Sequence, residues 1–413
     1  MEAPYTKPFY MFFLIMPMGI SQGFVTVALP FLLTRNGFPV ALTAGIVAIG
    51  ISANLWRFVW GPIVDLSLSL HKWYWLGLLA CVASLLILSF IPFTLKDAPL
   101  LSAVVFVSQV TATFTVLPVN GFMAKRIKEN RKGRASGWYQ AGSLASTGLG
   151  GGAGLWLATH YNLKLASIVL GIASLLFAMV ILLIKDIPHV KEQTLAQEIK
   201  GMGKDMLSMI KLPVALFVMI LIVMPIGTGA MANLWSAVAK DWNTDADTVV
   251  LVTGLLCGGV SAIGCLAGGV ITDRWGVWNA YLGSGVVCAL VTILIAVFPY
   301  YPATYIVGVL AYGLCTGLMY TAFTAIIFFV IGKKNVATKY SLMSSLGNLP
   351  VVYMTTFNGW THDMFGSRYM LSAEAIAGLI FVIIFFLILK RMRKNNLIPV
   401  VVESNNQFVA DKN

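Results

Sequence analysis

Long apolar segments fill most of this chain of 413 residues, and short polar breaks separate them. A helix needs about 20 apolar residues to cross a bilayer, and most of these segments are that long. Turn-forming pairs such as Asn36-Gly37 and Lys96-Asp97 stand in the breaks. The pattern predicts twelve membrane-spanning helices, spans 1 to 12, at residues 9–33, 38–61, 73–93, 99–122, 135–158, 164–184, 212–236, 248–271, 278–298, 302–331, 337–360 and 370–389.

The composition supports an all-α membrane protein. Hydrophobic residues make up 58% of the chain and charged residues 11%, with a mean hydropathy of +0.84. Soluble domains carry about 25% charged residues, so this chain cannot cover a water-exposed surface. The first apolar segment is too long for the core of a cleavable signal peptide, and we expect it to persist as span 1. The five cysteines, each alone in an apolar segment, indicate neither a metal site nor a disulfide framework.

The distribution of Lys and Arg predicts the orientation in the membrane. Of 28 such residues, 22 lie in one set of loops and in the two tails, and Arg57 lies inside span 2. The opposite loops hold only Arg35, Lys96, Lys164, Lys240 and Arg368. The positive-inside rule therefore places both termini in the cytoplasm. We expect the membrane to be a bacterial inner membrane. The positive charges behind the net charge of +12 cluster at the ends of the apolar segments, so this net charge does not indicate nucleic-acid binding.

An internal repeat indicates the architecture. Met16-Pro17-Met18-Gly19 recurs 208 residues later as Met224-Pro225-Ile226-Gly227, and the stretch from Gly61 to Asp65 recurs at the same offset from Gly269 to Asp273. Two parallel six-helix repeats, as in major facilitator transporters, place a substrate at the midplane between them. The predicted parts are a six-helix N-terminal half at 1–184, a cytoplasmic linker at 185–211, a six-helix C-terminal half at 212–390 and a cytoplasmic tail at 391–413.

The repeated loop resembles a facilitator signature that acts in gating. In the second copy, Gly269 precedes Asp273 and Arg274. The resemblance implies a glycine that permits tight helix packing and a carboxylate that latches a neighbouring loop or helix and releases it during transport. The first copy has Gly61 and Asp65 but no following arginine, so a solvated carboxylate at a helix end is the alternative there.

Three stretches resemble the muropeptide permease (AmpG-type) branch of the major facilitator superfamily, which includes acetyl-CoA transporters and some siderophore permeases. They are WRFVWGPIVD in span 2, GRASGWYQAGSLASTGLGGGAGLWLATHYNLK at 133–164 and ATKYSLMSSLGNLPVVYMTTFNGWTHDMFG at 337–366. The resemblance implies import of anhydro-muropeptide coupled to protons. Span 4 has Val116 and Asn120 where relatives carry an acidic pair, so coupling by those acids does not carry over.

Two ionisable residues inside spans are candidates for function, because charge there costs about 2.5–3.5 kcal/mol on insertion scales. Arg57 either snorkels to the cytoplasmic surface or faces the cavity, where its guanidinium can bind a carboxylate or phosphate with two hydrogen bonds. Asp65, two turns further, is a candidate partner. Glu374 in span 12 is a candidate proton carrier, with a solvated or paired glutamate as the alternative.

Polar side chains inside the spans are candidates for substrate contact. Tyr312, Thr316, Tyr320 and Thr324 recur every four residues and share one face of span 10. Hydroxyls and amides beside aromatic rings suit a neutral, hydroxyl-rich ligand with an apolar face, although such residues also mediate helix packing. The other candidates are Gln22, Gln109, Asn120, Gln140 and Asn233.

These observations predict a secondary transporter that works by alternating access. We expect a small-molecule substrate, a lipid bilayer as surroundings, no nucleic acid, no cofactor, no metal and a monomer. The first substrate expectation is anhydro-muropeptide or a related cell-wall fragment. The alternative is a siderophore or another amphipathic anionic metabolite, including an acyl-CoA. The spans carry no HExxH, paired-Asp or Ser/His signature, so we do not expect an enzyme, and a non-transporting sensor is the remaining alternative.

Overall fold

The computed structural model describes an all-helical protein, without strands among the described residues. Nine helices in the described part of the chain are long and apolar enough to cross a membrane. Each matches a predicted span to within a few residues at most of its ends. They are Tyr10–Arg35, Val40–Gly61, Leu70–Leu88, Leu95–Met123, Leu163–Leu183, Ala246–Thr272, Arg274–Val297, Pro302–Ile327 and Ser367–Lys394. The described residues are 6–127, 132–186, 200–201, 203–204, 213–331 and 336–395. Most of the predicted linker and tail therefore lies outside them.

The other three predicted spans are helical but interrupted. Span 5 runs as Lys132–Gly148, a π-helical segment Leu149–Ala153, and Gly154–His160. Span 11 is divided at Asn348 into Val336–Gly347 and Leu349–Phe365, where Pro350 near the start of the second helix removes a backbone donor.

Span 7 is broken in the middle. Its first helix, Pro213–Val223, is followed by a non-helical stretch at 224–229 and then by the short helices Ala230–Asn233 and Trp235–Val238. Gly227 and Gly229 have φ of 54° and 73°, which side chains with a Cβ rarely adopt. Non-helical backbone at this depth is tolerated only where protein or a water-filled space satisfies its polar groups.

Span 2 differs from the continuous helix predicted at 38–61. It consists of Val40–Ser52 and Arg57–Ser67, joined by turns at residues 53–56. Spans 1 and 8 stay helical but contain π-helical segments at Phe24–Ala28 and Val250–Leu256. In a π-helical segment the backbone hydrogen bonds join residues five apart and not four apart, and such segments are frequent at functional sites.

Among the described residues, the buried apolar clusters are shared by the two halves toward one end and separate toward the other. The near end holds the start of span 1 and the end of span 2, and the far end holds the end of span 1 and the start of span 2. Toward the far end, one apolar cluster contains buried residues of both halves, among them Leu33, Val40 and Trp242. Toward the near end, each half has its own apolar cluster, represented by Phe122 and by Phe385.

Close backbone contact between spans 5 and 8 also joins the halves. A Cβ on Gly254 would lie 2.5 Å from the Cα of Gly152, and a Cβ on Gly148 would lie 2.4 Å from the carbonyl oxygen of Gly254. Only glycine allows the two π-helical segments to approach this closely. The glycine cluster of span 5 therefore serves helix contact, as expected for small residues at membrane helix interfaces.

Candidate functional site

Arg57 is the first residue of the second helix of span 2. Its Nη2 donates a hydrogen bond to Oδ1 of Asn54, in the turn between the two helices. This bond directs the guanidinium back toward the first helix of span 2, away from the near end. The side chain therefore does not snorkel to the near end. Its Nε is buried without a hydrogen-bond partner, and no described carboxylate forms an ion pair with it.

Arg57 shares a space between the halves with residues of spans 5 and 10. Nε2 of Gln140 donates to the hydroxyl of Tyr320, 3.3 Å away across the two halves. Tyr320 is nevertheless 48% exposed, so the space around this contact is open. The hydroxyl of Tyr139 lies within electrostatic reach of both Arg57 and Tyr320. We call Arg57, Tyr139, Gln140 and Tyr320 the central site.

Gln109 and Asn233, predicted as substrate contacts, are buried between helices instead. Nε2 of Gln109 donates to Oγ of Ser21 in span 1, at 3.0 Å. Nδ2 of Asn233 donates to Oγ1 of Thr355 in span 11, at 3.1 Å. In this conformation the polar groups of both side chains are used in helix packing, and their contact with solute stays a prediction.

The polar face of span 10 divides between two environments. Tyr320 belongs to the central site, while Tyr312 is buried and donates to Oε1 of Glu374 at 2.7 Å. The hydroxyls of Thr316 and Thr324 bond carbonyl oxygens one turn earlier on their own helix. Of the remaining candidates, Asn120 is exposed and Gln22 is half-buried.

Glu374 lies in a second polar cluster, away from the central site. It is 8% exposed, and Nδ2 of Asn358 donates to its Oε2 at 2.5 Å. Tyr312 in turn accepts a hydrogen bond from the backbone N–H of Met231, just after the break in span 7, at 3.3 Å. The solvated glutamate considered as an alternative is excluded, because the carboxyl is buried and paired with neutral donors.

The predicted gating loop is described only in part. The side chains of Asp65 and Asp273 lie outside the described residues, and Arg274 is exposed. No described atom lies within 4 Å of a Cβ built on Gly61 or Gly269. The tight packing expected of these two glycines is therefore not present in this conformation.

A network at the far end was not predicted from the sequence. The carboxylate of Asp363, in span 11, accepts hydrogen bonds from the backbone N–H groups of Val40 and Ala41 at 2.9 and 2.7 Å. It thereby caps the first helix of span 2, which belongs to the other half. His362 bonds Oδ2 of Asp241 at 2.8 Å and Oδ1 of Asp363 at 3.2 Å.

Ser367 also donates to Oδ2 of Asp241, and Asp241, His362, Asp363 and Ser367 are the far-end network. Burial alone would raise the pKa of Asp241, but hydrogen bonds from His362 and Ser367 hold this pKa below its ordinary value. Burial would lower the pKa of His362, but its bonds to the two aspartates raise this pKa above its ordinary value. The signal in the sequence is His362-Asp363 at the end of span 11, on the side poor in charge.

The described residues contain no group of three or more His, Cys, Asp or Glu side chains that could hold a metal ion. The Major Facilitator Superfamily sequence profile matches residues 11–355, most of the chain. The chain belongs to the Major Facilitator Superfamily. This is a family of transporters, so the function is transport and not catalysis. No curated protein matches this sequence.

Solved structures of three transporters share the fold. A bacterial homologue of the human lysosomal transporter Spinster, in an inward-facing and unoccupied conformation, has a TM-score of 0.74 at 11% identity over 94% of this chain and 99% of that chain. A peptide transporter, POT, in complex with sulfate has a TM-score of 0.71 at 12% identity over 95% and 97%. A D-xylose–proton symporter has a TM-score of 0.70 at 11% identity over 92% and 96%. At these identities the likeness supports the fold alone, and the predicted transporter fold is confirmed.

Proposed function

We propose that this chain is an inner-membrane permease that imports an amphipathic anionic solute by alternating access. Our first candidate is anhydro-muropeptide or a related cell-wall fragment. With both termini in the cytoplasm, we assign the near end to the cytoplasm and expect solute to leave the central site toward it. We expect the permease to act as a monomer and to couple import to protons.

The observation that carries the proposal is that Arg57 forms no ion pair with a carboxylate in the described part of the chain. A buried or half-buried cation without a counter-ion loses hydration and gains little attraction in return. Arg57 has one amide oxygen as a partner and a free Nε directed into the protein. A carboxylate or phosphate on the solute would supply the missing charge and accept two hydrogen bonds from the guanidinium.

The rest of the central site suits a solute with sugar or peptide groups. Gln140 provides an amide, and Tyr139 and Tyr320 each provide a hydroxyl on an aromatic ring. Such rings offer an apolar face together with a hydrogen-bonding edge. A muropeptide carries carboxylates, hydroxyls and apolar sugar faces together, which matches this combination.

A siderophore or an acyl-CoA also combines anionic and apolar parts, and Arg57 would accommodate either. These solutes are the alternatives within transport. A non-transporting sensor remains the alternative outside it, and solute flux into sealed vesicles separates the two classes.

The test is uptake of labelled N-acetylglucosaminyl-anhydromuramyl peptide into proteoliposomes, with and without an inward proton gradient. Wild type is compared with Arg57→Gln, Arg57→Lys and the matched control Arg35→Gln, which removes an exposed arginine at the far end. We expect Arg57→Gln to lose at least about 2 kcal/mol of solute binding, or about thirtyfold, because charge-assisted hydrogen bonds contribute 1.5–3 kcal/mol each.

Arg57→Lys should recover part of this loss, since it keeps the charge without the planar fork. Arg35→Gln should transport like wild type. Absence of muropeptide uptake by folded wild-type protein would contradict the substrate assignment and make siderophores the next solutes to test. Equal losses in Arg57→Gln and Arg35→Gln would contradict the role of Arg57.

A further inference from the structure

Glu374 is a buried carboxyl group without a compensating cation. Its side chain lies two turns into span 12, and its two oxygens accept hydrogen bonds from Tyr312 and Asn358. No described Lys, Arg or His forms an ion pair with it. Ionisable residues within membrane spans are costly and mark ion or proton paths.

Asn358 is the partner whose hydrogen bonding is incomplete. The residue is fully buried, its Nδ2 donates to Oε2 of Glu374, and its Oδ1 has no hydrogen-bond partner. Protonation at Oε2 would place two donors face to face. A half-turn of the Asn358 amide removes this conflict, because Oδ1 then accepts the new O–H of the carboxyl group. The amide thus has one orientation for each charge state of Glu374.

Tyr312 connects the same carboxyl group to the broken part of span 7. Its hydroxyl donates to Glu374 and accepts from the backbone N–H of Met231. Thr316 lies one turn further along span 10. A Cβ added to Gly229, which lies within the break, would be 3.1 Å from the side chain of Thr316. Rearrangement at the carboxyl group therefore reaches the backbone of span 7 directly.

Asn358 reaches the same segment by a second route. Thr355, one turn before it on span 11, accepts a hydrogen bond from Asn233, which lies two residues after Met231. Spans 10 and 11 therefore each join Glu374 to residues 230–233. In transporters of this architecture, the break in a discontinuous helix lies beside the solute or coupling-ion site.

The other titratable groups around Glu374 are neutral thiols and the Tyr312 phenol. Cys288 of span 9 lies within electrostatic reach of Glu374 and beside Cys315 of span 10. Spans 9, 10 and 11 thus present no described charged side chain to the carboxyl group. The negative charge of Glu374 would therefore be neutralised by binding a proton and not by forming an ion pair.

We propose that Glu374 binds the proton that drives transport, and that Tyr312 and Asn358 are positioning residues that transmit its protonation state to the break in span 7. In each cycle the carboxylate takes up one proton from the outer side and releases it to the inner side. The proposal rests on the proposed function for its link to solute import. Proton binding itself does not depend on which solute is carried.

The first test needs no solute. Infrared difference spectra of purified protein are recorded between high and low pH, where a protonated buried carboxyl gives its own C=O band. We expect this band in wild type, its absence in Glu374→Gln, and its retention in the control Ser372→Ala, whose hydroxyl bonds only within span 12. Tyr312→Phe should change the pH at which the band appears. A spectrum that is the same in wild type and Glu374→Gln would overturn the proposal, even if muropeptide is transported.

The second test measures coupling in proteoliposomes loaded with muropeptide. Glu374→Gln should lose gradient-driven accumulation by at least about fivefold, the lower range of measured coupling, while solute exchange between equal pools continues. Glu374→Asp should retain part of the accumulation. Full gradient-driven uptake by Glu374→Gln, or accumulation driven by sodium in place of protons, would overturn the proposal. Failure of every variant to carry muropeptide would count against the proposed substrate, and the infrared result would then decide on Glu374.

Discussion

Arg57 shows what one residue in an apolar segment can reveal. Its charge alone predicts a functional position, because a cation at this depth is costly. The sequence did not indicate that span 2 ends its first helix just before it, nor that Asn54 holds the guanidinium. Among residues 53–56 only Asn54 interrupts the apolar pattern, and one asparagine in such a segment does not by itself predict a turn.

The surroundings of uncharged polar side chains are harder to predict from the sequence than those of charged ones. A glutamine or asparagine on an apolar helix can face either a cavity or a neighbouring helix, and the spacing along the helix is the same in both cases. Gln109 and Asn233 face neighbours, whereas Gln140 faces the central site. The difference depends on which spans pack together. The pattern of polar and apolar positions in one sequence does not show this.

This distinction can be tested at Gln109. Gln109→Leu removes the hydrogen bond to Ser21 and leaves the central site unchanged, so we expect a loss of roughly 0.5–1.5 kcal/mol of stability. Thermal unfolding in detergent should occur at a lower temperature, while the KM of uptake stays near that of wild type. A raised KM with unchanged thermal stability would instead place Gln109 in contact with solute.

At the scale of elements, the lengths of the spans were predictable and their interruptions were not. Apolar length sets where a helix enters and leaves the bilayer, and the observed ends follow it closely. Spans 2, 7 and 11 are divided, and spans 1, 5 and 8 contain π-helical segments. Pro225 and the glycines around it are visible signals in span 7, but Pro17 stands at the repeated position in span 1 inside a continuous helix.

The contact between the π-helical segments of spans 5 and 8 gives a prediction at this scale. Gly254→Ala should prevent the close approach to Gly152, because the added methyl would meet backbone that cannot move aside. We expect transport to fall at least about fivefold, since relieving the overlap costs about 1–3 kcal/mol. The measurement is the initial rate of uptake with equal amounts of reconstituted protein.

Gly259→Ala is the matched control on the same span, because nothing lies within 4 Å of its added methyl. It should be active and somewhat more stable, since alanine favours a helix over glycine by about 1 kcal/mol. Comparable activity of the two variants would show that the glycine contact does not control the approach of the halves.

For the whole molecule, the far-end network joins the two halves through Asp363, which caps the first helix of span 2, while Asp241, His362 and Ser367 hold Asp363 from its own half. The raised pKa of His362 stabilises the network while the imidazole is protonated, and this contribution is lost as pH rises through that pKa. The lowered pKa of Asp241 stabilises the network above its ordinary pKa, and this contribution is lost as pH falls through the lowered value. The network, and with it the support of the Asp363 cap, should therefore be strongest between the two pKa values. The sequence could not show this network, because Asp241 and His362 are distant along the chain.

Opening of the far end can be measured as the accessibility of a cysteine placed at Ala44. This buried residue packs against Gly359 beneath the network. In a cysteine-free background, Ala44→Cys should react with an impermeant thiol reagent most slowly between the two pKa values. Adding Asp363→Asn should raise the reaction rate by about fivefold or more, a coupling of about 1 kcal/mol. Asp97→Asn, at the start of span 4 in one half, is the control. A rate independent of pH and of Asp363 would remove the network from gating.

Alternating access requires the two ends of the molecule to open in turn, and spin-label distances across the halves measure this. One pair of labels replaces Leu95 and Tyr301, and the other pair replaces Lys72 and Trp275, all of them exposed side chains. With solute and a change of pH, we expect a second population in which the distance at one end lengthens while the distance at the other shortens. A single population at both ends under every condition, in protein that binds solute, would contradict it.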